Sequence, residues 1–549
     1  MNNCIIMKVN IMFYFLHGYS PDTWDAQMKA GLIRENAGIR FCQSLEIDEN
    51  LKFNRLARKD GDLYHLVKEK RCPLYIDRLQ GGCYIEDYAY DRELLEEYKA
   101  LLGDNFWGFQ MHEWLSNYRG DLQYKLEEIP ANEWTAENIK KVIYEKFPGK
   151  HLFLEAMTLE EFAASGKPTN FNEFFRNMTD IYKKRQELGE LVPCDSAFLA
   201  YQFEISTGTK RIMPEVGAQT ADARLQICYA RGMTRKTGRS FGVYYEPWGG
   251  DPFSTCMYNS LKNEWGIDEN SDFPFKTAGS NGGSSRSLQK RIFLYAYLNN
   301  AEFVSEEWGL YNTFLDCESF ELSPYGQVKK DFLDFVDKYQ DMGEKLAPVA
   351  VVLPKELMVF DNCYDEASNC RYPETSEMLA AAKRGVRAVF TQSEPMLGTE
   401  QSTLKNSIIP DAIDLLNRDD DILSRYEYLI DLTSDPDFSK TYAQICTPED
   451  LPGILKELLP CYVDGGLHWL VNHCTRGGYY LSVFNHSGVV RRVSEGEYTL
   501  PEAQKTVSLT FQNHAVPTLC EGDGFMEEKD GTYMLTVPAG GYALIYFNP

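Results

Sequence analysis

Short apolar runs recur along the first part of the chain. Each is followed by a polar or glycine-bearing turn and then by an amphipathic stretch of helical period. The runs that read as strands are 10–18 (NIMFYFLHG), 38–45 (GIRFCQSL), 72–79 (CPLYIDRL) and 106–114 (FWGFQMHEW). The series continues with 151–158 (HLFLEAMT), 196–204 (SAFLAYQFE), 240–248 (SFGVYYEPW) and 301–308 (AEFVSEEW). Helical periodicity separates them, as at 91–103, 135–147, 171–188, 287–300 and, after the last run, 326–339. Eight strands alternating with helices predict a (β/α)8 TIM barrel, α/β in class, with the helices in an outer ring. A doubly wound sheet is the rival fold. It would carry a glycine-rich phosphate loop after its first strand, and HGYSPDTW is not one.

The texture changes near residue 345. Short apolar strands are expected at 346–354, 386–392 and 426–433, with helices at 376–385 and 410–418. That pattern predicts a small flavodoxin-like α/β domain over 346–464, after a catalytic barrel over 1–345. From 465 to 549 strands dominate and turn residues fall at close spacing, which predicts a C-terminal β-sandwich.

Composition narrows the function. The 549 residues carry a net charge of −25, which opposes binding to nucleic acid phosphates. No segment is long and apolar enough to span a bilayer. The apolar run near the start is broken by Lys8 and Asn10 and no small-residue cleavage site follows, so it reads as a first strand. The 14 cysteines are scattered, Cys363 and Cys370 being the closest pair, and they lack the spacing of a zinc site. Free thiols in a cytoplasmic protein are the expectation.

In a barrel the chemistry belongs at the C-terminal ends of strands. Here those ends carry Asp77 with Arg78, Glu113 between His112 and Trp114, and Glu155. They continue with Glu204 near Tyr201, Glu246 between Tyr245 and Trp248, and Glu306, Glu307 and Trp308. Carboxylates beside aromatic rings suit sugars, whose CH faces stack on rings and whose hydroxyls need polar partners. Glycosidic cleavage needs two carboxyl groups across the scissile bond. Adjacent residues of a strand point opposite ways, so at most one of Glu306 and Glu307 faces the pocket, and only one of Asp77 and Arg78 reaches it. No HxH or HExxH spacing surrounds His112, so it reads as a residue that binds or orients substrate. Glu215 falls in a loop, and 251–285 is a long loop suited to a substrate wall. Trp469 reads as a core residue of the C-terminal domain.

The layout resembles the retaining glycoside hydrolases of clan A, and its domain order resembles that of family 42 β-galactosidases. The resemblance implies Glu113 as acid/base at the end of strand 4 and Glu246 as nucleophile at the end of strand 7. It also implies Trp308 as a floor for the sugar, and a middle domain that serves oligomerisation. His112 stands where clan members carry asparagine. Trp107 or Trp114 would wall the acid, and Tyr245 or Tyr201 would hydrogen-bond the nucleophile. The expected activity removes a terminal sugar from a carbohydrate substrate, with no cofactor or metal. Two alternatives remain open: a hydrolase using Glu306 or Glu307 as second carboxylate, and a carbohydrate-binding protein without catalysis.

Overall fold

In the computed structural model, eight parallel strands close into a barrel in sequential order. They are β1 (Tyr14–Gly18), β2 (Ala37–Phe41), β3 (Leu74–Gln80), β4 (Phe106–His112), β5 (Leu191–Ser196), β6 (Arg211–Val216), β7 (Ser240–Tyr245) and β8 (Phe303–Glu306). Closure comes where Tyr14 and Phe15 of β1 pair with Phe303 and Val304 of β8. The structure describes residues 12–41, 52–80, 90–112, 123–146, 158–196, 199–216, 223–247, 284–307, 312–316, 318–358, 376–390, 407–492 and 496–548.

Six of the barrel strands fall where the apolar pattern puts them. The fifth and sixth do not. Of the run at 151–158, residues 151–157 lie outside the described residues and Thr158 caps a helix, while residues 201–204 of the run at 196–204 belong to a helix, Tyr201–Ser206. Tyr201 and Ile205, one helical turn apart, join one core cluster, while Phe203 joins another, so this short helix is apolar on two faces. The strands that fill the two places are LVPCDS and RIMPEV. Each contains a proline, which removes a ladder donor and hides a strand from pattern reading.

Alternation along the strands divides their side chains cleanly. Leu16, Tyr75, Trp107, Val192, Cys194, Met213, Tyr244 and Phe303 form one interior cluster. Their strand neighbours Phe15, Ile76, Phe109, Leu191, Ile212, Val243 and Val304 belong to the clusters that face the helices. β4 keeps this alternation only through an irregularity of register opposite β3, at Gly108. Gly108 has φ +80, and a Cβ there would sit 2.0 Å from the Glu190 carbonyl oxygen. Only glycine fits, and the extra residue lets Trp107 as well as Gln110 and His112 serve the interior, while Met111 faces the helices.

Beyond the barrel, β10 (Val349–Leu353), β11 (Ile413–Asn417) and β12 (Tyr428–Asp431) form a parallel sheet in the order β11-β10-β12. Two expectations are corrected here. Residues 386–390 of the strand expected at 386–392 belong to the helix Ser376–Phe390, whose buried Leu379, Ala382, Val386, Val389 and Phe390 repeat at helical spacing, and 391–392 lie outside the described residues. The helix expected at 410–418 is mostly β11. The remaining strands include β9 (Glu344–Lys345), β13 (Cys461–Asp464), β14 (His468–His473), β15 (Tyr479–Phe484), β18 (Lys505–Phe511), β19 (Thr518–Gly522), β20 (Phe525–Lys529), β21 (Thr532–Val537) and β22 (Tyr542–Phe547). They form two antiparallel sheets, β13-β18-β21-β20 and β19-β22-β15-β14-β9. These sheets recruit residues from before position 465: β13 pairs with β18, and β9 pairs with β14. Trp469 is buried on β14, with its ring edge-on to Tyr462 at 5.6 Å. Among the described residues no helix is long and apolar enough to cross a membrane.

Candidate active site

The interior is apolar near the N-terminal ends of the strands and polar near their C-terminal ends. Trp107 belongs to the apolar end. It packs against Tyr14 and Phe303, with the Arg211 guanidinium 4.2 Å above its ring. Since Tyr14, Arg211 and Phe303 all open their strands, Trp107 lies at the far end and does not wall a catalytic acid. The expectation for Trp107 is therefore corrected.

At the other end, four strands bring titratable groups together. His112 closes β4 and Glu215 follows Met213 on the interior face of β6. Glu246 and Glu307 each lie one residue beyond a strand. The Glu246 N–H donates to the Val216 carbonyl at 2.8 Å, and the Glu307 N–H donates to the Tyr245 carbonyl at 2.8 Å. The ladder thus continues one step past β7 and β8 and fixes both carboxylates on the interior face. One oxygen each of Glu215, Glu246 and Glu307 lies within 4.8 Å of the others, and all three residues are buried. His112 Nε2 is 3.7 Å from Glu307, and its Nδ1 is 3.9 Å from Glu215 and 3.3 Å from the Gln110 amide nitrogen. The His112 ring stands edge-on to Tyr244 at 5.7 Å.

Asp77 is buried on β3 and paired with Arg40 of β2. The guanidinium also donates to the Tyr244 hydroxyl at 2.8 Å and to the Glu306 carbonyl. One interior charge pair thus links β2, β3, β7 and β8 just below the carboxylates. Its desolvation is offset by this spread of hydrogen bonds.

The structure separates the adjacent pair at the end of β8. Glu307 faces the interior. Glu306 turns to the helix layer, where Lys329 lies 2.5 Å from its carboxylate and the Tyr325 hydroxyl donates to it. Tyr245 also turns outward, against Phe293 at 5.6 Å, with its hydroxyl 2.8 Å from Ser284. Tyr244, not Tyr245, is the interior tyrosine of β7. Tyr201 packs against Tyr229 at 5.2 Å and Glu204 lies on the same outer helix, so neither sits at a strand end. These four expectations, for Glu306, Tyr245, Tyr201 and Glu204, are corrected by strand parity and by the helix at 201–206. Glu113, Trp114, Glu155, Trp248, Trp308 and the loop at 251–283 lie outside the described residues.

Sequence reading missed Glu215 because Pro214 masked its strand. The alternation Met213, Glu215 was the available signal. It also missed Cys194, which sits near His112 and Glu215 with donor atoms within 4.8 Å. His112, Cys194 and Glu215 form a mixed nitrogen, sulfur and oxygen set, while Glu215, Glu246 and Glu307 form an oxygen set. These are the described residues that could take a metal ion. Three carboxylates this close repel one another by about 3.5 kcal/mol per charged pair at an effective dielectric of 20. Such a cluster favours a cationic neighbour.

No family model matches the chain, and no curated protein does. Among solved structures it is similar to alpha-L-fucosidase isoenzyme 2 from Paenibacillus thiaminolyticus, at 10% identity and a TM-score of 0.45, over 98% of this chain and 99% of that one. It is also similar to a glycoside hydrolase family 30 subfamily 8 xylanase, Xyn30A, from Clostridium acetobutylicum, at 7% identity and a TM-score of 0.32, over 98% and 96%. A third is a GH27 β-L-arabinopyranosidase from Geobacillus stearothermophilus, at 9% identity and a TM-score of 0.22, over 98% and 96%. At these TM-scores none of the three lends its activity to this chain.

Proposed function

We propose that the chain is a glycoside hydrolase that releases a terminal sugar by a retaining double displacement, with Glu246 as nucleophile and Glu113 as acid/base. One observation carries the reading: Glu246 is buried on the interior face at the end of β7, with the carboxylates of Glu215 and Glu307 beside it. That is where a (β/α)8 barrel assembles its chemistry. Glu113 follows His112 directly in sequence, so the acid/base would come from the same rim.

In the first step Glu246 attacks the anomeric carbon while Glu113 protonates the departing oxygen. In the second, Glu113 takes a proton from water, which displaces Glu246. His112, buried among carboxylates, is suited to hydrogen-bond a sugar hydroxyl. Asp77 serves through Arg40, as the anchor of the interior charge pair. The two antiparallel sheets would form a C-terminal sandwich, and the parallel sheet a flavodoxin-like domain serving oligomerisation.

A second reading pairs Glu246 with Glu307. It is favoured by the interior placement of both and by their oxygens lying within 4.8 Å, close to the roughly 5–5.5 Å of a retaining pair. The test is a screen of chromogenic glycosides with wild type, Glu113→Gln, Glu246→Gln and Glu307→Gln. The first reading expects losses of about 100-fold or more in Glu113→Gln and Glu246→Gln, and azide rescue of Glu246→Ala. Full turnover in Glu246→Gln would overturn both readings. A dead Glu307→Gln beside an active Glu113→Gln would select the second. A wild type that binds sugar but cleaves no glycoside would select a carbohydrate-binding protein.

A further inference from the structure

β16 (Val489–Arg492) and β17 (Gly496–Thr499) form a two-stranded antiparallel ribbon apart from the two larger C-terminal sheets. From β17 the Glu497 carboxylate meets the N-terminus of the barrel helix Arg286–Leu298. One oxygen accepts the Arg286 backbone N–H at 2.6 Å and the other accepts that of Ser287 at 3.4 Å. A helix N-terminus leaves its first N–H groups without intrahelical partners and favours negative charge. Ser285 takes a third, its hydroxyl accepting the Leu288 N–H at 3.1 Å.

A second grip lies beside the first. The Ser287 hydroxyl donates to the Gly540 carbonyl at 2.8 Å. Gly540 has φ +69, and a Cβ there would sit 3.0 Å from Ser287 Oγ and 2.7 Å from Val489. The close approach of the C-terminal backbone to this helix needs glycine.

The contact runs on to the carboxylate at the end of β7. Ser284, just before the helix cap, donates its N–H to the Pro247 carbonyl at 2.7 Å. Its hydroxyl donates to the same carbonyl at 2.9 Å and meets the Tyr245 hydroxyl at 2.8 Å. Ser284 therefore clasps both residues that flank Glu246. We propose that Glu497 is a positioning residue for Glu246, so that the C-terminal ribbon completes the active site of the barrel. The proposal rests on the reading of Glu246 as nucleophile. Removing the carboxylate frees the first turn of the helix, loosens the Ser284 clasp and lets Glu246 wander. A displacement of about 1 Å at a reacting group costs on the order of 100-fold in rate.

The test compares full-length wild type, Glu497→Ala and Glu497→Gln. On a glycoside that wild type cleaves, Glu497→Ala is expected to lose roughly 10- to 100-fold in kcat with KM within about twofold. Glu497→Gln keeps an acceptor for the Arg286 N–H and is expected to recover most of kcat. Amide hydrogen exchange in Glu497→Ala is expected to quicken at 284–288 and, through the clasp, at 244–247. A lowered melting temperature with unchanged kcat per folded molecule would overturn the proposal, as would unchanged exchange at 244–247. A wild type silent on every glycoside would defeat the functional reading instead, and the exchange comparison would still decide whether Glu497 holds the segment around Glu246.

Discussion

Glu306 and Glu307 are neighbours in sequence, and the structure gives them opposite duties that one pair of variants separates. The Glu306 carboxylate lies 2.5 Å from Lys329 Nζ, and both side chains are almost completely buried. In Glu306→Gln the ammonium keeps the Thr313 hydroxyl at 2.9 Å and the rings of Phe15 and Tyr325 at 5.3 and 5.7 Å, but loses its counter-charge. Breaking one partner of a buried pair costs about 3–5 kcal/mol. With a urea m-value of about 3 kcal/mol/M, that lowers the unfolding midpoint by roughly 1–1.7 M. The double variant Glu306→Gln/Lys329→Met removes both charges and is expected to regain most of the loss, as apolar replacements of buried pairs do. Glu307→Gln should hold its midpoint within about 0.3 M, since it removes one of three crowded carboxylates. It should instead alter turnover or sugar affinity. Urea denaturation followed by tryptophan fluorescence, with glycoside turnover per folded molecule, reads both. A Glu306→Gln variant with the wild-type midpoint, beside an unstable Glu307→Gln, would refute the assignment of faces at the end of β8.

Gly108→Ala would place a Cβ 2.0 Å from the Glu190 carbonyl at a left-handed φ. We expect a loss of at least about 2 kcal/mol in urea denaturation, together with weaker sugar binding as His112 shifts. Acid lability should show at His468, held down to about 4 by burial and the nearby Arg224 charge. Unfolded chains protonate it near 6.5, so its contribution is complete above that pH and fades as pH falls from about 6.5 to 4. The wild-type stability slope there should exceed that of His468→Gln by up to about 1.4 kcal/mol per pH unit; equal slopes would count against it.

The barrel was legible because six strands announce themselves by runs of apolar residues, and because helices of clear period lie between them. Two strands were not, since Pro193 and Pro214 break the expected composition while the barrel still pairs both residues with neighbours. That error carried straight into the site. Reading 196–204 as a strand placed Tyr201 and Glu204 at a barrel end, whereas they lie on an outer helix, and it left Glu215 in a supposed loop. Parity was the second limit. Sequence alone says that Glu306 and Glu307 diverge, but only packing against Lys329 and Tyr325 says which one turns outward. The same uncertainty led to Tyr245 where Tyr244 faces the interior.

The junction between domains explains why a residue as distant in sequence as Glu497 can matter at the barrel rim. Arg231 and Arg235 of the helix Ala223–Thr237 both bind Asp414 of β11 at 2.6 Å, and Arg224 binds Asp411. Asp411 also accepts the Tyr295 hydroxyl at 2.7 Å from the helix Arg286–Leu298, and it lies 3.1 Å from His468 Nε2 on β14. One buried aspartate, two residues before β11, thus ties two barrel helices to the C-terminal sheet. Burial alone would raise its carboxyl, but the Arg224 guanidinium and the His468 hydrogen bond hold it well below the usual range. Charges this deep are costly to leave unpaired, so sliding one domain against another would expose an uncompensated arginine or aspartate. The helix that Glu497 grips is therefore pinned at both ends, by Asp411 near its C-terminus through Tyr295 and by the ribbon at its N-terminus. A helix held that way transmits a lost contact at its first turn to Ser284 and Pro247 instead of absorbing it by moving as a body.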